Sequence, residues 1–418
     1  MRPKPVLLLV AALALVAAAC GTDSGSTTEP SAETPTSVAP TTPTTPPETT
    51  NAPVGGGTVN GDLTFTLADG YTATAIGEGI KPDLELAPDG IPGITYLHED
   101  LAGFIAYTDA IADWVPQTVV EGYFYGPIGL AYNTEGEPRI AYHDHQDTSF
   151  NQDIGDLTFA KPTEGGWLIE AINDDGHDGW DSTIAIGADG VIRAAGVDPE
   201  QFGSTVGVEY YELGEAGWTV TEIGSGPVPY EFNVSLAIAA DDRPALTYYD
   251  ASNGDLKYAS LGGTGWSIEI VDAEGDAGRY SSLAFDDAGV PHISYLRLDT
   301  PTTGRVRHAT FDGTAWITSD VGTLDNLRTG HTGTRRNTAV AVDSEGIPHV
   351  VYSDESVVKR AVLSGDSWET AIIVSAGDRP LGQLVSFRVD DGGVLHLATF
   401  EVTTESPLTG VVAYITES

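Results

Sequence analysis

A few short stretches of this 418-residue chain carry side chains that could do chemistry. His143-Asp144-His145 sets two imidazoles two residues apart, so they share one side of an extended strand. With a carboxylate they have the donor types of a metal site. Two histidines at this spacing are a thin basis for one, and the chain is read as holding no metal and needing no cofactor. His98-Glu99-Asp100 is a similar polar cluster, and Asp250, Arg297 and Asp354 fall at equivalent places further on. Arg279, Arg335 and Arg336 have the planar fork that grips a carboxylate with two hydrogen bonds. In so acidic a chain they have ample aspartate of their own to pair with. Trp180, Tyr230 and Tyr280 offer aromatic faces of the kind that stack on a sugar ring or an apolar ligand group. No Ser-His-Asp order, nucleophile elbow, P-loop or dinucleotide fingerprint occurs. An enzyme that gathers its acids from distant segments would leave no such trace.

These residues are positioned by a repeat. Its clearest copy, residues 281–321, has four short alternating runs separated by Gly- or Asp-bearing turns, the pattern of a four-stranded antiparallel meander. A Gly-x-Pro-x-apolar-x-Tyr piece recurs about every 50 residues, with its Pro position at Pro92, Pro138, Ile192, Pro244, Pro291, Pro348 and Leu395. Downstream of each of the first six, a turn leads to Trp114, Trp167, Trp218, Trp266, Trp316 or Trp368. The Trp is expected to open the outer strand and pack between neighbouring units. One such sheet cannot keep both its faces dry, so neighbours must cover them and the units must close on themselves. The fold class expected is therefore all-β: a seven-bladed β-propeller with four-stranded antiparallel blades. Residues 71–76 match the outer strand of the last blade and would close the ring, removing an exposed edge. Residues 63–67 and 411–415 both read as that blade's third strand, so one of them is surplus.

In this register the candidates share an address. Trp180, Tyr230, Arg279, Tyr280, Arg335 and Arg336 lie on crossings into the first strand of a unit. His98, His143, Asp144, His145, Asp250, Arg297 and Asp354 lie where the second strand turns into the third. Both sets belong to one end of the ring. Trp180 is the one Trp outside the repeat position. His292, His349 and His396 occupy a single repeat position, which points to a structural role. The run 173–178, Asn-Asp-Asp-Gly-His-Asp, has part of the spacing of a Ca²⁺ loop but no terminal Glu.

Outside the repeats, residues 1–19 read as a signal peptide: Arg2 and Lys4, an apolar run, then Ala17-Ala18-Ala19 before Cys20. This resembles a bacterial lipoprotein lipobox, which implies lipidation of Cys20 and a membrane anchor on the outer face of the cell. Cys20 is the single Cys, so no disulfide forms within the chain. Residues 20–61 are rich in Thr, Pro and Ser and lack aromatics, the composition of an extended tether. Residues 62–418 form the propeller, expected to act as a monomer. A net charge of −42 argues against nucleic acid as a partner.

The repeat, in residues 253–299 especially, resembles those of bacterial secreted β-propellers, and the turn before each Trp is similar to a degenerate sialidase Asp-box. Phe311-Asp312-Gly313-Thr314-Ala315-Trp316 keeps the Trp but not the Ser-x-Asp-x-Gly order, so no catalytic residue carries over. The resemblance implies a surface module that binds a glycan, a peptide or a protein. The alternative it implies is a sialidase-like glycoside hydrolase or a polysaccharide lyase.

Overall fold

A computed structural model describes residues 58–98, 101–145, 155–173, 179–199, 206–226, 233–325, 327, 337–354, 356–382, 384–405 and 408–418. The signal segment, Cys20, most of the tether, Glu99, Asp100, the run 174–178, Tyr230, Arg335 and Arg336 lie outside the described residues.

Among the described residues, regular structure is entirely β-strand, built into a β-propeller of four-stranded antiparallel blades. Three sheets are simple four-stranded meanders, spanning residues 180–226, 234–272 and 276–324. Two are five-stranded, each a four-stranded unit with one short added strand. The sixth has seven strands. Seven separate sheets were expected, and six hydrogen-bonded sheets are found. The reason is the 16-residue strand Gln117–Tyr132. Its first part pairs with Leu101–Asp109 and its last part with Pro138–His145, across a register break between Tyr125 and Gly129. One continuous strand thus serves as outer strand of one meander and inner strand of the next.

The N-terminal strand Tyr71–Glu78 completes the last sheet beside Leu408–Glu417, which precedes Leu395–Glu405 and Ser386–Val389 in order toward the axis. Residues 411–415 are therefore the third strand. The surplus piece goes elsewhere: Thr66–Leu67 pairs with the outer strand Ser367–Ser375 of the neighbouring sheet. Thr58–Asn60 adds in parallel to the closing strand. Both short additions cover edges that would otherwise offer unpaired backbone.

The repeat markers do their packing between sheets. Trp167, Trp218, Trp266, Trp316 and Trp368 each lie 4.9–5.7 Å from Tyr107, Phe159, Tyr210, Tyr258 and His308 respectively, on the third strand of the preceding meander. Trp114 meets Tyr414 at 4.7 Å, which carries the series across the closure. Trp114 differs from its counterparts in sitting in the turn before its strand, with φ of +61°. The repeat tyrosines dock over glycine: a Cβ on Gly224 would come 2.8 Å from the Tyr248 hydroxyl, and one on Gly322 would collide with that of Tyr352. Both glycines stand six residues after the repeat Trp. At the same position in the sheet of residues 234–272 is Asp272, which instead accepts a 2.6 Å bond from the Tyr295 hydroxyl.

The three repeat histidines are buried and bonded. His292 Nδ1 is 3.1 Å from His308 Nε2, His349 lies 2.9 Å from both Asp343 and Arg360, and His396 Nδ1 is 2.7 Å from the Tyr414 hydroxyl. Burial, then the neighbouring His292, pushes the His308 imidazole down to about 3. Burial also lowers His292 and His349. In the unfolded chain these groups bind protons below pH of about 6.5, whereas the folded His308 stays neutral until about 3. The unfolded state therefore binds more protons across that window, so stability is expected to fall as pH drops from about 6.5 toward 3. His308→Phe restores the aromatic found at this place in other blades. It should keep the Trp368 contact and flatten the acid limb of a Tm-against-pH curve; an unchanged slope would contradict this.

Candidate ligand site at the crossing end of the axial cavity

Seven inner strand segments surround a cavity of about 460 Å³ on the axis, including Asp83–Leu86, Thr183–Ile186, Ser281–Phe285 and Ser386–Val389. Small polar side chains stitch these segments together. Leu130 N donates to Asp83 Oδ2 at 2.9 Å, Leu283 N to Ser235 Oγ at 3.1 Å, Val340 N to Ser282 Oγ at 3.3 Å, and Leu84 N to Ser386 Oγ at 2.9 Å. Asp83, Ser235, Ser282 and Ser386 are one repeat position, seven residues before the Gly (or Asp242) of the following turn. At this position in the shared strand Gln117–Tyr132 stands Gly129, where a Cβ would sit 3.1 Å from Ile184 N. Close approach of backbones replaces the hydroxyl there.

Two residues further along, five inner segments carry Ala131, Ala185, Ala237, Ala284 and Ala341, and the two that flank the closure carry Glu85 and Arg388. These form a two-pronged ion pair, Arg388 Nε and Nη2 reaching the Glu85 carboxylate at 2.7–3.0 Å with side chains 35% and 26% exposed. The next position is a half-buried apolar collar, running from Leu86 and Tyr132 through Phe285 to Val389. The cavity is thus polar toward the crossings and apolar toward the opposite hairpins.

At the crossing end the inner strands are bulged. Register shifts fall between Ile80 and Asp83, Trp180 and Thr183, and Arg279 and Ser282. Lys81, Asp181 and Tyr280, at one repeat position inside these bulges, take φ of +52° to +54°. Such a kink re-aims the side chains around it. Asp181 turns its carboxylate to accept from Val234 N at 3.1 Å. Trp180 is left half-buried, packed against the cluster that includes Val197, Val208 and Tyr210, three residues before the cavity wall begins at Thr183.

The candidate residues fare differently. Trp180 and His143, read separately in the sequence, come together from adjacent meanders with ring centres 5.9 Å apart. His143 is buried and Asp144 half-buried beside it, while the side chain of His145 is not described. Tyr280 is 6% exposed and lies in the hydrophobic cluster with Leu296 and Tyr352, its carbonyl accepting from Thr338 Oγ1 at 3.1 Å. Arg279 spans Asp276 at 2.9 and 3.1 Å and lies over the Tyr249 ring. Arg297 pairs with Glu274 at 2.7 Å and Asp299 at 3.5 Å. Asp250 holds its own turn and Lys257; burial would raise its carboxyl, but bonds from Asn253, Ser252 and Lys257 hold it below the usual range. Asp354 accepts from Ser356 N and Val357 N at 2.7 and 3.0 Å. His98 stacks on Phe104 at 4.4 Å. No cluster of three His, Cys, Asp or Glu able to hold a metal occurs among the described residues.

The polar residues of the cavity itself were not singled out in the sequence. Asn233 is 4% exposed and lines the cavity. Aligning the repeats on the turn glycine brings Asp83, Ser235, Ser282 and Ser386 into one column, and that alignment is the signal that could have found them.

No family model and no curated protein matches this sequence. Solved structures do match in fold. A polysaccharide lyase described as an ulvan lyase superposes with a TM-score of 0.52 at 12% identity, over 80% of this chain and 93% of that one. A protein of unknown function from Dyadobacter fermentans gives 0.48 at 12% identity, over 82% and 99%. The SapL1 lectin, in complex with α-methyl fucoside, gives 0.48 at 12% identity, over 72% and 98%. The class of protein is a β-propeller.

Proposed function

We propose that this chain is a seven-bladed, lipid-anchored propeller that binds a glycan at the crossing end of its axis, on the outer face of a bacterial cell membrane. The seven inner segments around one cavity support the count, with the seven-stranded sheet taken as two blades. The pattern of residues 1–20 supports export and a lipid on Cys20, and residues 21–61 would hold the propeller, a monomer, away from the membrane.

The observation that carries the binding reading is Trp180. It stands outside the repeat, half-buried, with the His143 ring centre 5.9 Å from its own. An aromatic face bordered by hydrogen-bonding groups is what a sugar ring meets on a binding protein. Binding is favoured over hydrolysis because Arg279 and Arg297 are already committed to Asp276, Glu274 and Asp299. A carboxylate-gripping catalytic site would need them free.

The test is a glycan array probed with the full chain in detergent micelles. Saturable binding is expected, weakened about tenfold or more by Trp180→Ala. No saturable binding, or binding indifferent to that substitution, would overturn the reading.

A further inference from the structure

We propose that the axial cavity is a pocket for one neutral sugar at the end of a glycan chain, entered from the crossing end. This rests on the glycan-binding reading and gives it a substrate class and a polarity.

The size suits a small-molecule site, at about 460 Å³. The crossing end has hydrogen-bond donors to spare. Asn233 is 4% exposed; its Oδ1 accepts from Ser281 Oγ at 3.1 Å, while its Nδ2 finds no acceptor among the described residues. A buried amide donor left unmatched is costly, and a ligand oxygen would relieve it. Ser235 and Ser282 use Oγ as acceptors for backbone N–H groups, which leaves each O–H directed by whatever enters. Hydroxyl and ring oxygens are acceptors of the matching kind.

Charge selects against acidic sugars. The wall carries Asp83 and Glu85 against Arg388 alone, so a carboxylate or sulfate ester would enter a net negative space. The apolar collar selects for chain ends. A hydroxylated chain threading onward would have to shed water past six apolar side chains and Tyr132, whose hydroxyl is already bonded to that of Tyr107 at 3.0 Å. A terminal unit stops short of them, with the preceding ring left at Trp180.

The experiment is calorimetric titration of the full chain in micelles with D-glucose, D-galactose, D-mannose and L-arabinose, and separately with D-glucuronate and D-galacturonate. At least one neutral sugar should bind one-to-one, and neither uronate should. Ala284→Leu fills the wall midway, and Asn233→Asp keeps the acceptor for Ser281 while removing the Nδ2 donor. Each should weaken the neutral sugar about tenfold or more. Trp180→Ala should weaken longer glycans about tenfold or more. If Ala284→Leu does not fold, Asn233→Asp carries the test. Binding of glycans on the array without any neutral monosaccharide would overturn the pocket and leave the binding module standing. Binding of neither would remove both. Preference for uronates, or a neutral sugar indifferent to both cavity substitutions, would also overturn the pocket.

Discussion

Glu401→Ala is expected to lower the stability of the propeller by about 3–5 kcal/mol, because it strips a buried carboxylate from four partners at the point where the chain ends meet. Glu401 is fully buried in the strand Leu395–Glu405. Its oxygens accept from Thr64 N at 2.8 and 3.0 Å, Thr64 Oγ1 at 2.8 Å and Phe65 N at 2.7 Å, and Arg379 lies 3.2 Å away. One side chain from the last sheet thus pins the segment that leads into Thr66–Leu67 on the neighbouring sheet. Its removal would strand two amide N–H groups and a guanidinium in a site built for a negative charge. Thermal unfolding would show the loss, and limited proteolysis should cut residues 58–70 sooner than in the unmodified chain. Glu401→Gln, which keeps the shape but not the charge, should fall between. A Glu401→Ala variant within about 0.5 kcal/mol of the parent would contradict this account of the closure.

Arg307→Met should cost a similar amount, about 3–5 kcal/mol, by a different route. Arg307 is 9% exposed and links two sheets: Nη1 reaches Asp272 at 2.5 Å, Nε lies 3.1 Å from Asp320, and Nη2 donates to Thr318 at 3.0 Å. Asp272, 6% exposed, belongs to the outer strand of the preceding sheet. Without the guanidinium, Asp272 loses its ion pair while still buried, whereas half-buried Asp320 keeps Arg305 at 2.8 Å. Adding Asp272→Leu removes the stranded charge, and the double variant should recover part of the loss in a double-mutant cycle. Strict additivity of the two substitutions would count against a coupled network.

The architecture was legible because its markers are tied to packing. The repeat Trp needs a third-strand aromatic one blade back, and Tyr248 and Tyr352 need glycine six residues after the previous Trp. Residue types at fixed spacing therefore reported contacts between sheets. The closing strand was legible for the same reason, since Tyr71 stands in the Trp place and its hydroxyl lies 3.3 Å from Arg360 of the preceding sheet. What stayed hidden was set by backbone geometry. Nothing in the composition of residues 117–132 says that one strand will serve two meanders, because that depends on a register break at Gly126 to Gly129. The surplus strand was likewise ambiguous, as residues 63–67 and 411–415 both read as a third strand, and contacts distant in sequence, Glu401 with Thr64 and Phe65 among them, hold the first in place.

The site was less legible than the fold. Trp180 and His143 are far apart in sequence, and their contact depends on two meanders lying side by side. Tyr280 read as a ligand contact, but the left-handed turn at its φ of +52° rotates its ring into the core. Glu85 and Arg388 meet across the closure, and only the alanines that replace them in the other five inner segments show that the position faces the axis. Asn233, Ser235 and Ser282 look unremarkable in the chain, and become a donor set only when the inner strands converge.

The most direct test is a crystal structure of the protein soaked with the tightest-binding neutral sugar of the titration panel. The account predicts one sugar ring on the axis, an oxygen within hydrogen-bond reach of Asn233 Nδ2, and the exit of the chain directed at Trp180. Sugar bound between sheets at the outer edge, with the axial cavity unchanged, would contradict it.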